Sequence, residues 1–294
     1  MFLGKYKIML GSDCKLIYGT KDYHRKRLKV LENEKYIRRV NSLYIKLDVK
    51  GTKLVKAFGY DYNNYCMTKE YIGRLNEIAQ IAAITINSDI DFIASWNLKT
   101  NNIFTETSRK YIGKMNLLGV DRIVYYIANH KTKTYISQVV NDIQKIIKYD
   151  NIIIFMEDFN FINEKSKFYF GKDSTLIIKP INKNLDIMKK LKEIDFYEIV
   201  KQIYSNKEIL LSNWKKENYM TTDKRYVIIM PFLDTERLRG LNIFYRNNQK
   251  GNRKIDIITL KENKEKINEI LIKDTNIIEI DTLLGGFDNG KTKN

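Results

Sequence analysis

Two adjacent carboxylates, Glu157 and Asp158, follow directly on the apolar run Ile152-Ile153-Ile154-Phe155-Met156. A short continuous run of this kind suits a strand buried on both faces of a mainly parallel sheet. The carboxyl ends of such strands are where ligands and catalytic groups collect. Carboxylates placed there suit divalent metal ions, since hard cations such as Mg²⁺ prefer oxygen ligands, and two of them about 4 Å apart activate water and stabilise a leaving oxygen. The plainer alternative is a solvated strand end. The element that must deliver the pair precedes it: Ile136, Val139, Val140, Ile143, Ile146 and Ile147 fall at three- and four-residue spacings, the pattern of a helix with one apolar stripe.

A second chemistry lies near the start of the chain. Between residues 15 and 56 there are thirteen Lys or Arg against four Asp or Glu, so nine of the seventeen net positive charges fall in this stretch. His24, Arg25, Lys26, Arg27 and Lys29 form its densest run, read as a strand edge or a loop, and Lys35, Arg38, Arg39, Lys46 and Lys50 continue it. Tyr18, Tyr23, Tyr36 and Tyr44 are interleaved with these cations. Cations that hold a phosphate backbone, with rings available for stacking, are the composition of a nucleic-acid surface.

The 294 residues suffice for one large or two modest domains. The 44% hydrophobic and 12% aromatic content argues against wholesale disorder, and the longest apolar runs fall far short of the roughly 20 residues of a membrane span. A soluble chain without a membrane partner is expected. The opening MFLGKYKIML has neither the long apolar core nor the small-residue cleavage site of a signal peptide. Cys14 and Cys66 offer no disulfide framework and no zinc ribbon, so a reducing cytosol is the expected setting.

Residues 5–19 alternate loosely as in a hairpin, 42–50 read as a half-buried strand, and 53–60 as its returning partner, which makes the first third mostly β. Thr68 caps a helix reaching about Ala83. Residues 84–95 read as one bent strand or a pair, 108–118 as a helix, and 120–128 as a strand or a helix. A strand at 175–178 and a helical stretch from Leu185 to Ile203 follow. YVIIMP at 226–231 and IDIITL at 255–260 read as buried strands, and EKINEIL at 265–271 as a helix. The phrases KYIRRVN, EYIGRLN and KYIGKMN are unevenly spaced and reflect biased composition, not a repeat.

The phrase YISQVVNDIQKIIKYDNIIIFMEDFNF at 135–161 closely resembles the second RuvC motif of the type V CRISPR effector nucleases, in which such a helix leads into a strand ending in Glu-Asp-Leu-Asn-Phe. Weaker likenesses lie in the same order. ITINSDIDFIA at 84–94 takes the place of the first motif, YVIIMPFLDTERL that of the strand toward the nuclease-lobe insert, RKIDIITLKENKEKI that of a later strand and helix, and GGFDNGKTKN that of the third motif.

The resemblance covers residues 20–294 and implies an α/β, RNase H-like (RuvC) fold with a basic, β-rich, wedge-like N-terminal region. The regions it implies are 1–83 for RNA binding, 84–180 for the first part of the core, 181–254 for a reduced insert and 255–294 for the last part. The wedge-like region would grip the folded 5′ handle of a guide RNA, the sequence itself being read by the guide. The family's Glu maps onto Glu157, but its first Asp maps onto Asn87, an amide without charge, and Asp288 is displaced from its expected place. Asp89 and Asp91 are the available substitutes, although a one-residue slip turns a side chain to the opposite face. The site is thus expected to be vestigial, without a cofactor. His24 takes the place where the family puts a precursor-processing His, and is read as an RNA-contacting surface residue.

The expected function is a nuclease-dead, guide-RNA-binding relative carried by a phage or mobile element, an inhibitor that sequesters guide RNA or competes with a type V effector. Two rivals stand beside it. One is an active Mg²⁺-dependent nuclease that uses Glu157 and Asp288 with Asp89 or Asp91. The other is a module that binds an effector without RNA.

Overall fold

The computed structural model describes residues 1–18, 23–62, 68–86, 88–98, 110–162, 170–212, 218–247, 253–273 and 275–281. The fold is α/β, with antiparallel and mixed sheets, and the chain divides into two units, 1–101 with 111–126, and 102–110 with 127–294.

The first unit opens with α1 (Phe2–Tyr6), β1 (Ile8–Leu10), α2 (Cys14–Tyr18), α3 (Tyr23–Asn33), β2 (Ile37–Val40), β3 (Tyr44–Leu47), α4 (Val49–Ala57) and α5 (Lys69–Thr85). The strands form an antiparallel sheet in the order β1-β3-β2, with Met9 opposite Ile45 and Ile37 opposite Leu47. Successive side chains point to opposite faces, and both faces are covered. Met9, Ile37 and Ile45 pack with Cys14 of α2 and Leu28 of α3, whereas Ile8 packs with Ile72, Leu75 and Ala79 of α5. Thr68 caps α5 as its sequence predicts, its hydroxyl accepting from the Tyr71 N–H at 3.2 Å. An antiparallel meander of β4 (Asp91–Ala94), β5 (Gly113–Leu117) and β6 (Val120–Ile127) completes the unit.

The second unit contains α6 (Lys133–Gln144), β7 (Asn151–Met156), β8 (Ser174–Ile178), α7 (Asn182–Lys190), α8 (Phe196–Ile203), β9 (Ile209–Leu211), β10 (Tyr219–Thr221), β11 (Arg225–Ile229), β12 (Leu233–Asp234), α9 (Thr235–Asn247), β13 (Lys254–Thr259), α10 (Lys261–Ile270) and β14 (Asn276–Glu279). β7 and β8 are parallel, and β12 adds to β8 antiparallel. A five-stranded mixed sheet runs β14-β13-β11-β10-β9, with β9, β10 and β11 antiparallel and β11, β13 and β14 parallel.

The same succession therefore occurs twice along the chain. A helix (α5, then α8) leads into a three-stranded antiparallel meander, a second helix (α6, then α9) follows, and two mutually parallel strands close it; the second succession adds β12 before α9 and α10 between β13 and β14. Secondary structure repeats where residues do not, because a helix needs only a stripe and a buried strand only an apolar run.

Several expectations are corrected. Among the described residues of 1–83, five helices accompany three short strands, so the region is not β-rich. The run at 23–29 is helical because His24, Leu28 and Leu31 recur at four- and three-residue spacing and turn inward, a thin stripe that the surrounding cations conceal. Residues 53–57 belong to α4, on which Gly51, Leu54 and Val55 share one face. Among its described residues, the segment expected to hold the first-motif strand, 84–94, is helical through Thr85 and forms a strand at 91–94, and 113–117 is a strand. The boundaries at 83/84 and 254/255 fall inside α5 and β13; of the strands within 181–254, β9, β10 and β11 share a sheet with β13 and β14, and β12 adds to β8.

Candidate functional site

β7 is buried along Ile152–Met156, with each of those five side chains at 0% exposure, so the expectation of a strand covered on both faces holds. Glu157 is the first residue beyond it. Its N–H donates to the Ile127 carbonyl at 3.1 Å, and its Oε2 accepts from the Asn129 N–H at 2.8 Å. The carboxylate thereby fixes the loop between β6 and α6 to the end of β7. Asp158 turns onto its own chain: Oδ1 accepts from the Asn160 N–H at 2.9 Å and starts the single helical turn Phe159–Ile162. This is the side-chain to backbone bonding by which Asp shapes turns. Both carboxylates thus serve loop geometry.

Asn87 and Asp288 lie outside the described residues. Asp89 and Asp91 are exposed, and Asp91 stands at the head of β4 opposite Asn116 of β5. Among the described residues no three His, Cys, Asp or Glu side chains are grouped so as to hold a metal ion. A two-metal mechanism requires such a group.

The cationic surface is built differently. α3 buries His24 and Leu28 and leaves Arg25, Lys26, Arg27 and Lys29 exposed. Its acid, Glu32, is engaged by Arg39, whose Nε donates to Oε2 at 3.3 Å. The helix ends where Lys35 enters the left-handed region at φ 63°, with the Tyr36 N–H donating back to the Leu31 carbonyl at 2.9 Å. The first turn of α4 is tied to that bend: the Asp48 N–H donates to the Tyr36 carbonyl at 2.9 Å and the Lys50 N–H to the Lys35 carbonyl at 3.1 Å. Lys50 places its ammonium 5.9 Å from the Tyr36 ring centroid. The exposed cations of α3, Lys35, Arg38 and Arg39 of the following strand, and Lys50 are therefore carried on elements fastened at one corner.

Two of the predicted contacts are withdrawn. His24 is 7% exposed and Lys46 5% exposed, so neither belongs to the surface. His24 occupies the inward stripe of α3. Lys46 lies opposite Ile8, on the sheet face that packs against α5. Lys53 and Lys56 of α4 and Lys15 are exposed cations that the sequence reading did not single out. Their signal was available for α4, where Lys50, Lys53 and Lys56 recur every third residue on the side away from Val55.

Tyr204 and Arg225, both half-buried, converge on the buried carboxylate of Asp256. Asp256 is 1% exposed, accepts from Arg225 Nη1 at 2.6 Å and also accepts from the Tyr204 hydroxyl. Burial, followed by the neighbouring carboxylate, pushes the Tyr204 phenol well above its ordinary range. The phenol therefore stays protonated and serves as a donor, and the ion pair joins β11 to β13 across the parallel sheet.

No helix among the described residues is long and apolar enough to cross a membrane. No protein-family model, no curated protein and no solved structure matches this chain.

Proposed function

We propose that this chain binds folded RNA through the cationic corner formed by α3, β2 and the start of α4, and that it does so without a nuclease centre. The observation that carries the reading is the outward set Arg25, Lys26, Arg27 and Lys29 on a helix whose Glu32 is occupied by Arg39. Four cations in five positions, with no free acid among them, present a field that a phosphate backbone neutralises and from which its counterions are released. Exposed Tyr23 at one end of α3 and Tyr36 at the other supply stacking surfaces for unpaired bases.

The finer proposal is that the RNA is the 5′ handle of a type V guide and that the chain is a nuclease-dead relative of the effectors with an RNase H-like core. It would then inhibit type V immunity by sequestering guide RNA or by competing with the effector. Support for that ancestry rests on residues 133–158, where a helix, a buried strand and Glu-Asp occur in the order of the second RuvC motif. The helical residues at 84–85 remove support from the first motif.

Fluorescence anisotropy with a labelled handle hairpin tests both levels. The intact chain is expected to bind, and Arg25→Glu/Lys26→Glu/Lys29→Glu to weaken binding at least a hundredfold with unchanged circular dichroism. A hairpin of the same length and scrambled sequence separates handle recognition from general RNA binding. Equal affinity for the triple variant and the parent would end the RNA-binding reading, and equal affinity for the two hairpins would end the handle reading alone.

A further inference from the structure

Beneath α3 the first unit holds a cavity of about 240 Å³ that opens to solvent. Its inner wall includes Met9, Cys14, Leu28 and Ile45, all buried, and among the described residues no charged side chain lines it. Cys14 donates its thiol to the Leu10 carbonyl at 3.8 Å, and burial pushes that thiol up to about 11, so it is neutral at physiological pH. Protein interiors pack densely enough that few voids exceed one water molecule. Apolar cavities stay dry, and one of about 150 Å³ accepts benzene. The inserted part of a ligand here must therefore be hydrocarbon.

The mouth is marked by the lining residues that reach solvent. Met1 is 58% and Leu54 of α4 47% exposed, and Tyr36 is half-buried. Lys50 stands one helical turn before Leu54, exposed, with its ammonium against the ring of Tyr36. α4 carries Lys50, Lys53 and Lys56 and no acidic residue within Val49–Ala57, while Asp48 occupies its N-cap. Apolar inside and cationic at the rim is the complement of an anionic amphiphile. We propose that this cavity binds a free medium-chain fatty acid of about ten carbons, its alkyl chain inside and its carboxylate held by Lys50 at the mouth. A cavity of roughly 150 Å³ accepts the six carbons of benzene, so one of about 240 Å³ has room for about nine.

The test uses the full chain with decanoate as probe and contains no RNA, so its outcome is independent of the RNA-binding proposal. Calorimetry and native mass spectrometry are expected to show one decanoate per chain. Octanoate should bind roughly tenfold more weakly, because each buried methylene contributes about three- to fourfold in affinity. Lengthening beyond about twelve carbons should add nothing. Lys50→Glu is expected to weaken decanoate at least tenfold, and Ile17→Trp, which fills the cavity from its half-buried edge, to abolish binding. In the unsubstituted chain the methyl resonance of Met9 should shift on titration while that of Met230, in the other unit, does not; this measurement stands even if Ile17→Trp fails to fold. The proposal is overturned if Met9 is unmoved at millimolar decanoate, if affinity is independent of chain length, or if the chain binds only phosphatidylglycerol vesicles and not the free acid.

Discussion

Glu157 shows how one residue type serves two roles that sequence does not separate. The strand end that would present a carboxylate to a metal also presents it to the Asn129 N–H of the neighbouring loop, which Oε2 accepts. A hydrogen bond from a backbone donor to a carboxylate contributes about 1.5 to 3 kcal/mol. Glu157→Ala should therefore lower stability by about that amount and speed hydrogen exchange of the Asn129 amide; unchanged exchange would remove the clamp. Gly51 is a sharper case. A Cβ there would lie 2.0 Å from the Tyr36 carbonyl oxygen and 3.0 Å from Leu47 Cδ2, because the first turn of α4 rests on the bend that ends α3. Gly51→Ala must displace backbone, at a cost of about 3 kcal/mol, read as a fall in urea midpoint. Gly113→Ala, with a Cβ 2.4 Å from the Ile93 carbonyl oxygen, should behave alike.

At the level of elements, the two meanders are closed by matching devices. At the β5–β6 hairpin, Asp121 accepts from Lys114 Nζ at 2.8 Å and from Asn116 Nδ2 at 2.9 Å. At the β10–β11 hairpin, Asp223 accepts from Lys207 Nζ at 2.6 Å and from the Thr221 hydroxyl. Hydrogen bonds from these donors, Lys first in each case, lower both carboxylates, Asp223 to about 2 from the ordinary 3.8. A group whose folded pKa is depressed adds stability that is present above its unfolded value and lost as pH falls through the folded one. The urea midpoint should therefore decline between about pH 4 and pH 2, and Asp223→Asn should flatten that decline. An acid limb of unchanged slope in the variant would show that the Lys207 pair contributes nothing to folding. The helix α3 belongs to this scale as well. Its four exposed cations are held outward only because His24 and Leu28 turn inward, so polar replacement of Leu28 would loosen the whole cationic corner.

For the molecule as a whole, the proposed RNA contact makes a prediction that surface charge alone does not. Phosphate contacts release counterions, so log affinity falls with log salt at about 0.7 to 0.9 per contact. The parent chain should show a slope of at least four on the handle hairpin, and the Arg25/Lys26/Lys29 variant a slope smaller by about two to three. A slope near zero in the parent would assign any RNA retention to apolar contact. What the sequence by itself determined is the set of elements with a long, unambiguous period: the helix and buried strand at 133–156, the Thr68 cap, the strands at 225–229 and 254–259, and the concentration of charge before residue 57. Such patterns are local, since a stripe or an apolar run requires burial whatever covers it. Only the tertiary structure decided that residues 23–29 and 53–57 are helical, because their inward stripes are two or three residues wide and gain their meaning from the sheet beneath them. It also decided that His24 and Lys46 face inward, and that Glu157 and Asp158 bond to backbone. Which partner a carboxylate or an imidazole meets depends on chain brought from elsewhere in the sequence, and no spacing within a motif records that.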